Sequence, residues 1–419
     1  MTSSCFLTHR QVAGILSGLI WILPLSQPVQ AETIRIGALL SITGNWSSLG
    51  KSSQVMMEFA RDDLNAYLKQ HGSKKRVQLL IKDTQLLPDL AVKQYQELVM
   101  QGAVSAVGPQ SSSEVAALVE PVQRRRVPII SQGSTASSLS IPGDRIYRMV
   151  PNDTHEAEAL RALLRLRYVK TLVPAWRDDA GNRGLHDSLQ TQFTAEGGVM
   201  FPGVKYSTDD HQDFTPVAVE LNRQLGEALA AAGGDTAKVG IYVAAFDEVA
   251  RLMNAATQFP LLKSVKWYGS DGVAHSEVLQ NDAIAAQYAI DVGYPNPNLS
   301  PPSIAREKWQ PLSDRYFAKT GERPDAYAFA AYDATLVAGL NASHNKFAPR
   351  LSRHEIFPET ANINFGATGW TRLDEAGDRT DGDFEFWALR TGVNGKPEWV
   401  VACHYNSLSD TIEEQSCAD

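Results

Sequence analysis

Residues 104–135 read VSAVGPQSSS, then EVAALVEPVQRRR, then VPIISQGST, and this stretch decides the fold. Two short apolar runs, 104–107 and 127–130, each end in glycine and hydroxyl residues. The segment between them is long enough to cross a sheet as a helix. A strand, a crossover helix and a second strand in the same direction form a βαβ unit, so the stretch predicts a parallel sheet.

Hydroxyl residues follow both predicted strands at the edge of a sheet where ligands bind. Ser111, Ser112 and Ser113 precede the predicted helix, and Ser134 and Thr135 follow the second strand. At the carboxyl ends of parallel strands, loops and helix N-termini leave backbone N–H groups free for a ligand. The two loops therefore predict a ledge that suits a carboxylate or another small anion. A serine before a helix is also a common N-cap, and that alternative stays open for each serine.

The rest of the chain continues the alternation of strands and helices. Strands are predicted at 33–40, 77–82, 171–176, 239–244 and 266–269, and helices at 51–69, 88–101, 185–196, 247–257, 304–320 and 326–342. After Gly369, residues 370–390 alternate around a Gly and Asp turn, which predicts a β-hairpin. The pattern is that of an α/β protein with parallel sheets. A chain of 419 residues exceeds most single domains, so we expect two lobes.

Charge and the N-terminal segment narrow the class of function. The chain has 47 acidic and 39 basic residues, and its net charge of −8 disfavours nucleic acid and anionic membranes as partners. Residues 1–31 predict a cleaved signal peptide, because Arg10 precedes the apolar run 12–25 and Val29 and Ala31 supply the small residues of a peptidase site. An uncleaved signal anchor is the alternative. The mature chain is expected to start at Glu32 and to work in the periplasm.

The cysteines agree with an exported protein. Cys5 lies in the predicted leader, which leaves Cys403 and Cys417 in the tail. In an oxidising compartment these two are expected to close a local disulfide, with two free thiols as the alternative.

Motifs for nucleotide, metal or hydrolytic chemistry are not matched. The segment 44–52 has five residues between its glycines, whereas a phosphate-binding loop requires four. The acidic run 209–213 lacks the glycine and terminal glutamate of a calcium loop. No Gly-x-Ser-x-Gly elbow occurs. We therefore expect a protein without metal or cofactor that binds a ligand and does not act as an enzyme.

Five longer segments point to a family. They are IRIGALLSITGNWSSLGKSSQ, IKDTQLLPDLAVKQYQELV, VGPQSSSEVAALVEP, VPIISQGSTASSL and YAFAAYDATLVAGL. Their number, order and spacing resemble the periplasmic substrate-binding proteins of branched-chain amino acid ABC transporters, over nearly the whole mature chain. The resemblance implies a type I periplasmic binding fold, in which two Rossmann-like lobes joined by three hinge crossings close on a ligand. The implied lobes are residues 32–152 with 283–360, and residues 153–282 with 361–419.

The resemblance also implies the residues that hold the head group of a ligand. Ser112, with Ser111 beside it, matches the serine that holds an α-carboxylate, and Ser134 and Thr135 match the loop that grips the head group. Asp271, in WYGSDGV, takes the place of an acidic residue against the α-ammonium. A zwitterion needs donors for its carboxylate and a buried anion for its ammonium, and this set supplies both. Without the resemblance, Asp271 would be interpreted as a turn residue.

The predicted side-chain pocket departs from the family. Gly181 and Asn182 stand where amino acid binders usually have an aromatic residue, and Phe246 stands near a family tyrosine. Leu49 occupies a position that can be tryptophan, with Trp46 three residues earlier. These residues either shape the pocket or belong to the core, and the identity of the ligand stays open.

The function implied is that of an exported, monomeric receptor. It would capture a small polar ligand, an amino acid or a related amide, and deliver it to the membrane permease of an ABC transporter. A sensory ligand-binding protein that acts on a signalling partner is the alternative, and an enzyme built on the same fold is a further one.

Overall fold

The structure is a computed structural model, and it describes residues 1–2, 32–209, 211–344, 353–380, 382–407 and 409–413. The predicted signal peptide falls mainly on residues 3–31, and it lies outside the described residues together with Cys417. None of the described helices is both long enough and apolar enough to cross a membrane.

The first part of the chain builds one parallel sheet, which we call the sheet of lobe 1. Its elements are β1 (Glu32–Leu40), α1 (Ser47–Gln70), β2 (Lys75–Asp83), α2 (Pro88–Met100), β3 (Ser105–Val107), α3 (Ser112–Arg125), β4 (Ile129–Ser131) and β5 (Ile146–Arg148). The strand order is β2-β1-β3-β4-β5, and every pairing is parallel. The predicted βαβ unit is confirmed as β3, α3 and β4, which puts the ends of β3 and β4 side by side.

The middle of the chain builds a second parallel sheet, that of lobe 2. Its elements are α4 (Asp153–Leu166), β6 (Thr171–Arg177), α5 (Ala180–Ala195), β7 (Val199–Met200), β8 (Val204–Tyr206), α6 (Thr215–Ala231), β9 (Val239–Ala244), α7 (Val249–Ala256), β10 (Lys266–Tyr268), α8 (Glu277–Asn281) and α9 (Ala283–Val292). The strand order is β10-β9-β6-β7, and β8 also pairs with β6, all in parallel. The predicted α/β class with parallel sheets is therefore confirmed.

The last part of the chain contributes elements to both lobes. It contains β11 (Asn296–Leu299), α10 (Arg306–Thr320), α11 (Ala326–His344), α12 (Arg353–Asn362), β12 (Phe365–Gly366), β13 (Gly369–Trp370), β14 (Phe384–Thr391), β15 (Pro397–Asn406) and β16 (Thr411–Ile412). Helix α11 packs its alanine-rich surface against α1 and the lobe 1 sheet. Strands β11, β14, β15 and β16 form an antiparallel sheet, and β14 and β15 pack on lobe 2.

The hairpin predicted over residues 370–390 is wrong. Strand β14 pairs with β15, with Phe384 opposite Tyr405, and β13 pairs with β12. Between them, residues 371–380 form only isolated bridges, one of which joins Leu373 to Arg379. The alternating pattern of β14 was a genuine strand signal, but its partner lies later in the chain.

The packing of side chains indicates to which lobe each segment near a crossing belongs. Helix α9 contributes Ala285, Ala289 and Val292 to the core that surrounds Trp267 of lobe 2, although the sequence predicts these residues in lobe 1. Leu373 packs in the core of lobe 1, although the sequence predicts it in lobe 2. We propose crossings at residues 149–152 and 293–300, and a third one that leads into β14.

Of the two cysteines in the tail, Cys403 lies within the described residues. Cys403 on β15 is fully buried and disulfide-bonded. Because Cys417 lies outside the described residues, the pairing of these two cysteines stays a prediction.

Candidate ligand-binding site between the lobes

The eight residues predicted to bind ligand lie where the two lobes meet, and all of them are buried. They are Trp46, Ser111, Ser112, Ser134, Thr135, Asn182, Phe246 and Asp271. The first five belong to lobe 1 and the last three to lobe 2. This arrangement does not test whether these residues contact a ligand, so their binding role stays a prediction.

Ser111 takes the alternative role of an N-cap. Its hydroxyl accepts a hydrogen bond from the backbone N–H of Glu114 at 3.3 Å, and the Glu114 carboxylate accepts the N–H of Ser111 at 3.3 Å. This reciprocal pair is a capping box, which satisfies two N–H groups that the helix would otherwise leave free. We therefore leave the Ser111 side chain out of the candidate site.

Ser112 and Ser134 join the ends of the two neighbouring strands. Their hydroxyl oxygens lie 3.0 Å apart, and the Ser112 oxygen also accepts the backbone N–H of Ala136 at 3.1 Å. The N–H of Ser134 donates to Ser131, whose own hydroxyl donates to the carbonyl of Pro109. The predicted ledge is present, and its hydroxyls already hold one another in place.

The N-terminus of α5 in lobe 2 approaches this ledge. The backbone N–H of Ala180 donates to the Ser113 hydroxyl at 3.4 Å, and a Cβ placed on Gly181 would lie 3.5 Å from the Ser112 oxygen. The lobes therefore lie in contact at this point. The side-chain nitrogen of Asn182 donates to Asp179, whereas its buried oxygen receives no hydrogen bond from any described residue.

Asp271 belongs to lobe 2 and contacts both lobes. Tyr327, on α11 of lobe 1, donates its hydroxyl to the Asp271 carboxylate. The backbone N–H of Asp271 donates to a Glu156 oxygen at 3.2 Å. Asp271 is 3% exposed, so its charge is removed from water. A carboxylate in this position attracts a ligand with a cationic or N–H-rich group.

Two further carboxyl groups stand beside Asp271, and we call Asp153, Glu156 and Asp271 the acidic cluster. The backbone N–H of Asp153 donates to the Thr135 carbonyl at 2.8 Å, and the N–H of Ser137 donates to the Asp153 side chain at 3.3 Å. Asp153 thereby links the cluster to the Thr135 loop of lobe 1. Burial raises the pKa of Asp153 to about 7 and that of Asp271 to about 6, and burial also raises the pKa of Glu156 well above its usual range.

Aromatic side chains fill the lobe contact beside the acidic cluster. Trp46, in a left-handed conformation before α1, stacks on Phe246 of lobe 2 with ring centroids 4.4 Å apart. The same indole meets the edge of Tyr327 at 6.1 Å. A Cβ on Gly272 would lie 2.4 Å from the Phe246 ring, so glycine at this position lets the ring lie against the Asp271 loop. The stack is an apolar wall shared by both lobes.

A second polar network crosses the lobe contact. The amide of Asn45, in lobe 1, donates to Glu248 of lobe 2 at 2.6 Å. Arg177 contacts the Asp179 carboxylate at 2.9 Å and lies 3.8 Å from Glu248, and Tyr206 donates to Glu248 at 3.0 Å. Arg177 offsets part of the negative charge of this network, in contrast to the acidic cluster. The hydrogen bond of Asn45 to Glu248 joins the two lobes.

Sequence reasoning missed Asp153, Glu156 and Tyr327. The first two appear in VPNDTHEAEAL, where acidic residues are ordinary at the start of a helix. Their spacing of three residues puts both on one face of α4, and that face is buried. Tyr327 lies in YAFAAYDATLVAGL, whose apolar composition predicts core packing.

The arrangement of two α/β lobes around a buried polar contact defines a protein class. Residues 53–392 match the family described as receptor family ligand binding region. The chain therefore belongs to this family of ligand-binding, non-enzymatic proteins. Over 377 residues it is 25% identical to an uncharacterized protein of Methanocaldococcus jannaschii, which covers 85% of this chain and 87% of the relative.

Solved structures identify the fold. The leucine binding protein LivK of Thermotoga maritima matches with a TM-score of 0.71 and 18% identity, over 88% of this chain and 98% of that chain. LivJ of Streptococcus pneumoniae, solved in complex with isoleucine, matches with a TM-score of 0.69 and 21% identity, over 88% and 99% of the chains. The fold is the α/β type I periplasmic binding protein fold, with two parallel sheets.

Proposed function

We propose that the chain is an exported solute receptor that captures an amino acid-like ligand between its lobes and delivers it to the permease of an ABC transporter. The observation that carries the proposal is the meeting of a hydroxyl ledge on lobe 1 with a buried carboxylate on lobe 2. Ser112 and Ser134 stand 3.0 Å apart on one side, and Asp271 stands on the other. Hydroxyls and helix N-termini suit a carboxylate, and Asp271 suits an ammonium.

Closure of the lobes is the step that such a receptor uses to signal its loaded state. Binding energy favours the closed form when the two half-sites can be satisfied together only there. The contacts of Tyr327 with Asp271 and of Asn45 with Glu248 belong to the closed arrangement. A permease that recognises the closed form would then accept only the loaded receptor.

The proposal is tested by a thermal-shift screen of the mature chain from Glu32 against the amino acids, their amides and small carboxylic acids. A ligand present at 100 times its dissociation constant adds about 2.7 kcal/mol to the free energy of unfolding, which is a readily measured rise in Tm. Calorimetry then gives the stoichiometry. We expect one molecule bound per chain and no consumption of the ligand.

The control separates binding in the cleft from binding elsewhere. Asp144 is a buried carboxyl group in the β4–β5 loop of lobe 1, where it accepts the N–H of Ile146 at 2.8 Å. Asp144→Asn should retain the Tm rise, whereas Asp271→Asn should lose most of it. A screen in which no amino acid, amide or small acid raises the Tm would contradict the proposal.

A further inference from the structure

The acidic cluster contains hydrogen-bond acceptors that are buried without donors. Glu156 is 2% exposed, and one of its oxygens, Oε2, receives no hydrogen bond from the described residues. Asp153 is fully buried, and although the Thr135 side chain interacts with its carboxyl group and lowers its pKa, its Oδ1 receives no hydrogen bond of good geometry from the described residues. A buried polar atom without a partner costs about 1–3 kcal/mol, and more when it is charged. A ligand that donates hydrogen bonds to these two oxygens would remove that cost.

The charge of the cluster is also not balanced by a free cation among the described residues. Arg148 is the basic residue whose charge reaches Asp153. Its guanidinium is already committed, since it pairs with Asp378 and donates to the carbonyl of Ala136 at 2.6 Å. Three carboxyl groups thus share one buried region. The positive charge of Arg148 does not balance them, because it is already paired with Asp378.

An inorganic cation is a poor candidate for the missing charge. Within the described part of the chain, no group of three or more His, Cys, Asp or Glu side chains is placed to hold a metal ion. The cluster instead consists of separate acceptors, and such acceptors suit N–H groups spread along an organic cation.

We propose that the ligand carries two cationic nitrogens, one on Asp271 and a second one held by Glu156 and Asp153. The class is that of basic amino acids and short diamines. This inference rests on the proposed function, and it narrows the ligand class of the same site. A single ammonium on Asp271 would leave two buried carboxyl groups with unpartnered oxygens, whereas a second amine or a guanidinium supplies both charge and donors. In a basic amino acid, the carboxylate would then lie on Ser112.

The experiment compares ligand classes on the intact mature protein by calorimetry. Lysine, ornithine, arginine and 1,4-diaminobutane form the basic set, and leucine, glutamine and glutamine amide form the neutral set. We expect the best basic ligand to bind about 10-fold or more tightly than the best neutral one. This comparison needs no variant, so it does not depend on how a substitution folds.

Variants then assign the selectivity to the cluster. Glu156→Gln keeps an oxygen that can accept the N–H of Asp271, and Asp153→Asn keeps an oxygen that can accept the N–H of Ser137. Each should weaken the basic ligand by about 10-fold while changing neutral ligands by a factor of about 2. Asp144→Asn, a buried carboxyl outside the cluster, should change neither class.

The outcomes separate this inference from the function on which it rests. Tight binding of neutral amino acids or amides with no preference for the basic set would overturn the inference and leave the receptor function standing. A preference for basic ligands that survives both Glu156→Gln and Asp153→Asn would also overturn it. Binding of neither class would contradict the proposed function, and the inference with it.

Discussion

The two halves of the candidate site differ in how their polar groups are satisfied. On lobe 1, the hydroxyls of Ser112 and Ser134 contact each other, and Ser112 also accepts a backbone N–H. On lobe 2, Glu156 and Asp153 each bury an oxygen that receives no hydrogen bond from the described residues. The hydroxyls of the ledge are hydrogen-bonded, whereas two carboxyl oxygens of the acidic cluster receive no hydrogen bond from the described residues.

This difference indicates which lobe contributes more to the free energy of ligand binding. A ligand on the ledge replaces hydrogen bonds that the hydroxyls already make, so the net gain in free energy per bond is small. A cation on the acidic cluster stabilises the charged form of carboxyl groups whose pKa is raised by burial. We therefore expect substitutions in lobe 2 to affect ligand binding more strongly than those in lobe 1, and to alter its pH dependence as well.

The largest expected effect comes from Asp271→Asn. The variant removes the carboxylate charge that faces the ligand ammonium, and truncating one partner of a buried charge pair costs about 2–5 kcal/mol of binding. Calorimetry with the ligand found by screening measures the loss. The Asp144→Asn variant serves as control, because it neutralises a buried carboxyl of lobe 1 that lies outside the acidic cluster. Equal affinity of Asp271→Asn and the natural protein would show that no ammonium lies on Asp271.

The fold could be predicted from local patterns because each parallel strand is a short apolar run followed by polar loop residues. Residues 104–135 give β3, α3 and β4 in their observed order. The pattern fails for β14, which pairs with β15 directly after it and with β11 far before it, and not with the residues that directly precede it. Alternation reveals that a strand exists but does not identify its neighbour.

The candidate site could be predicted only in part. The sequence places Ser112 and Ser134 on one edge, but it cannot separate the N-cap role of Ser111 from ligand binding without the capping geometry. Asp153 and Glu156 were missed because acids at a helix N-terminus are usually solvated. Their burial depends on the docking of α4 against the Thr135 loop, and this long-range contact has no local signature.

The second largest expected effect is a pH dependence of the free energy of unfolding. The carboxyl groups of lobe 2 should contribute most to it. Burial raises the pKa of Asp153 to about 7 and that of Asp271 to about 6, with Tyr327 and Arg148 acting in the opposite direction. A carboxyl whose pKa is higher in the folded state binds more protons there, so the free energy of unfolding falls as the pH rises from about 4 to about 7. Each unit of raised pKa contributes about 1.4 kcal/mol to this fall.

Thermal unfolding of the apo protein at several pH values measures this slope. Glu156→Gln removes one of the titrating groups and relieves its repulsion of Asp271, so the fall in the free energy of unfolding with rising pH should be smaller in the variant than in the natural protein. Buried carboxyls elsewhere, such as Asp144 and Asp325, contribute a fall of the same sign to both proteins and cancel in the comparison. An unchanged slope would mean that Glu156 does not titrate in this range.

The third effect concerns the stack of Trp46 on Phe246, the apolar wall that both lobes share. Trp46→Ala removes the stack on Phe246, and an aromatic pair contributes about 0.5–1.5 kcal/mol beyond its buried area. Because the pair joins the two lobes, its loss should favour the open arrangement and weaken the ligand by a comparable amount. Small-angle scattering of the apo variant should give a larger radius of gyration. Trp370→Ala, at an exposed position of lobe 1, should leave both quantities unchanged.

The smallest expected effect separates two neighbouring serines of lobe 1. Ser111→Ala breaks the capping box of α3 and should lower the free energy of unfolding by about 1 kcal/mol, with the ligand affinity unchanged. Ser112→Ala removes the hydroxyl that contacts Ser134 and should weaken the ligand by about 1 kcal/mol. It also removes the acceptor of the Ala136 N–H, so a similar loss of stability accompanies it. The discriminating quantity is therefore the affinity, measured by calorimetry below both unfolding transitions. If Ser112→Ala binds as tightly as Ser111→Ala, then both serines serve the fold, and the carboxylate end of the ligand is held by backbone N–H groups alone.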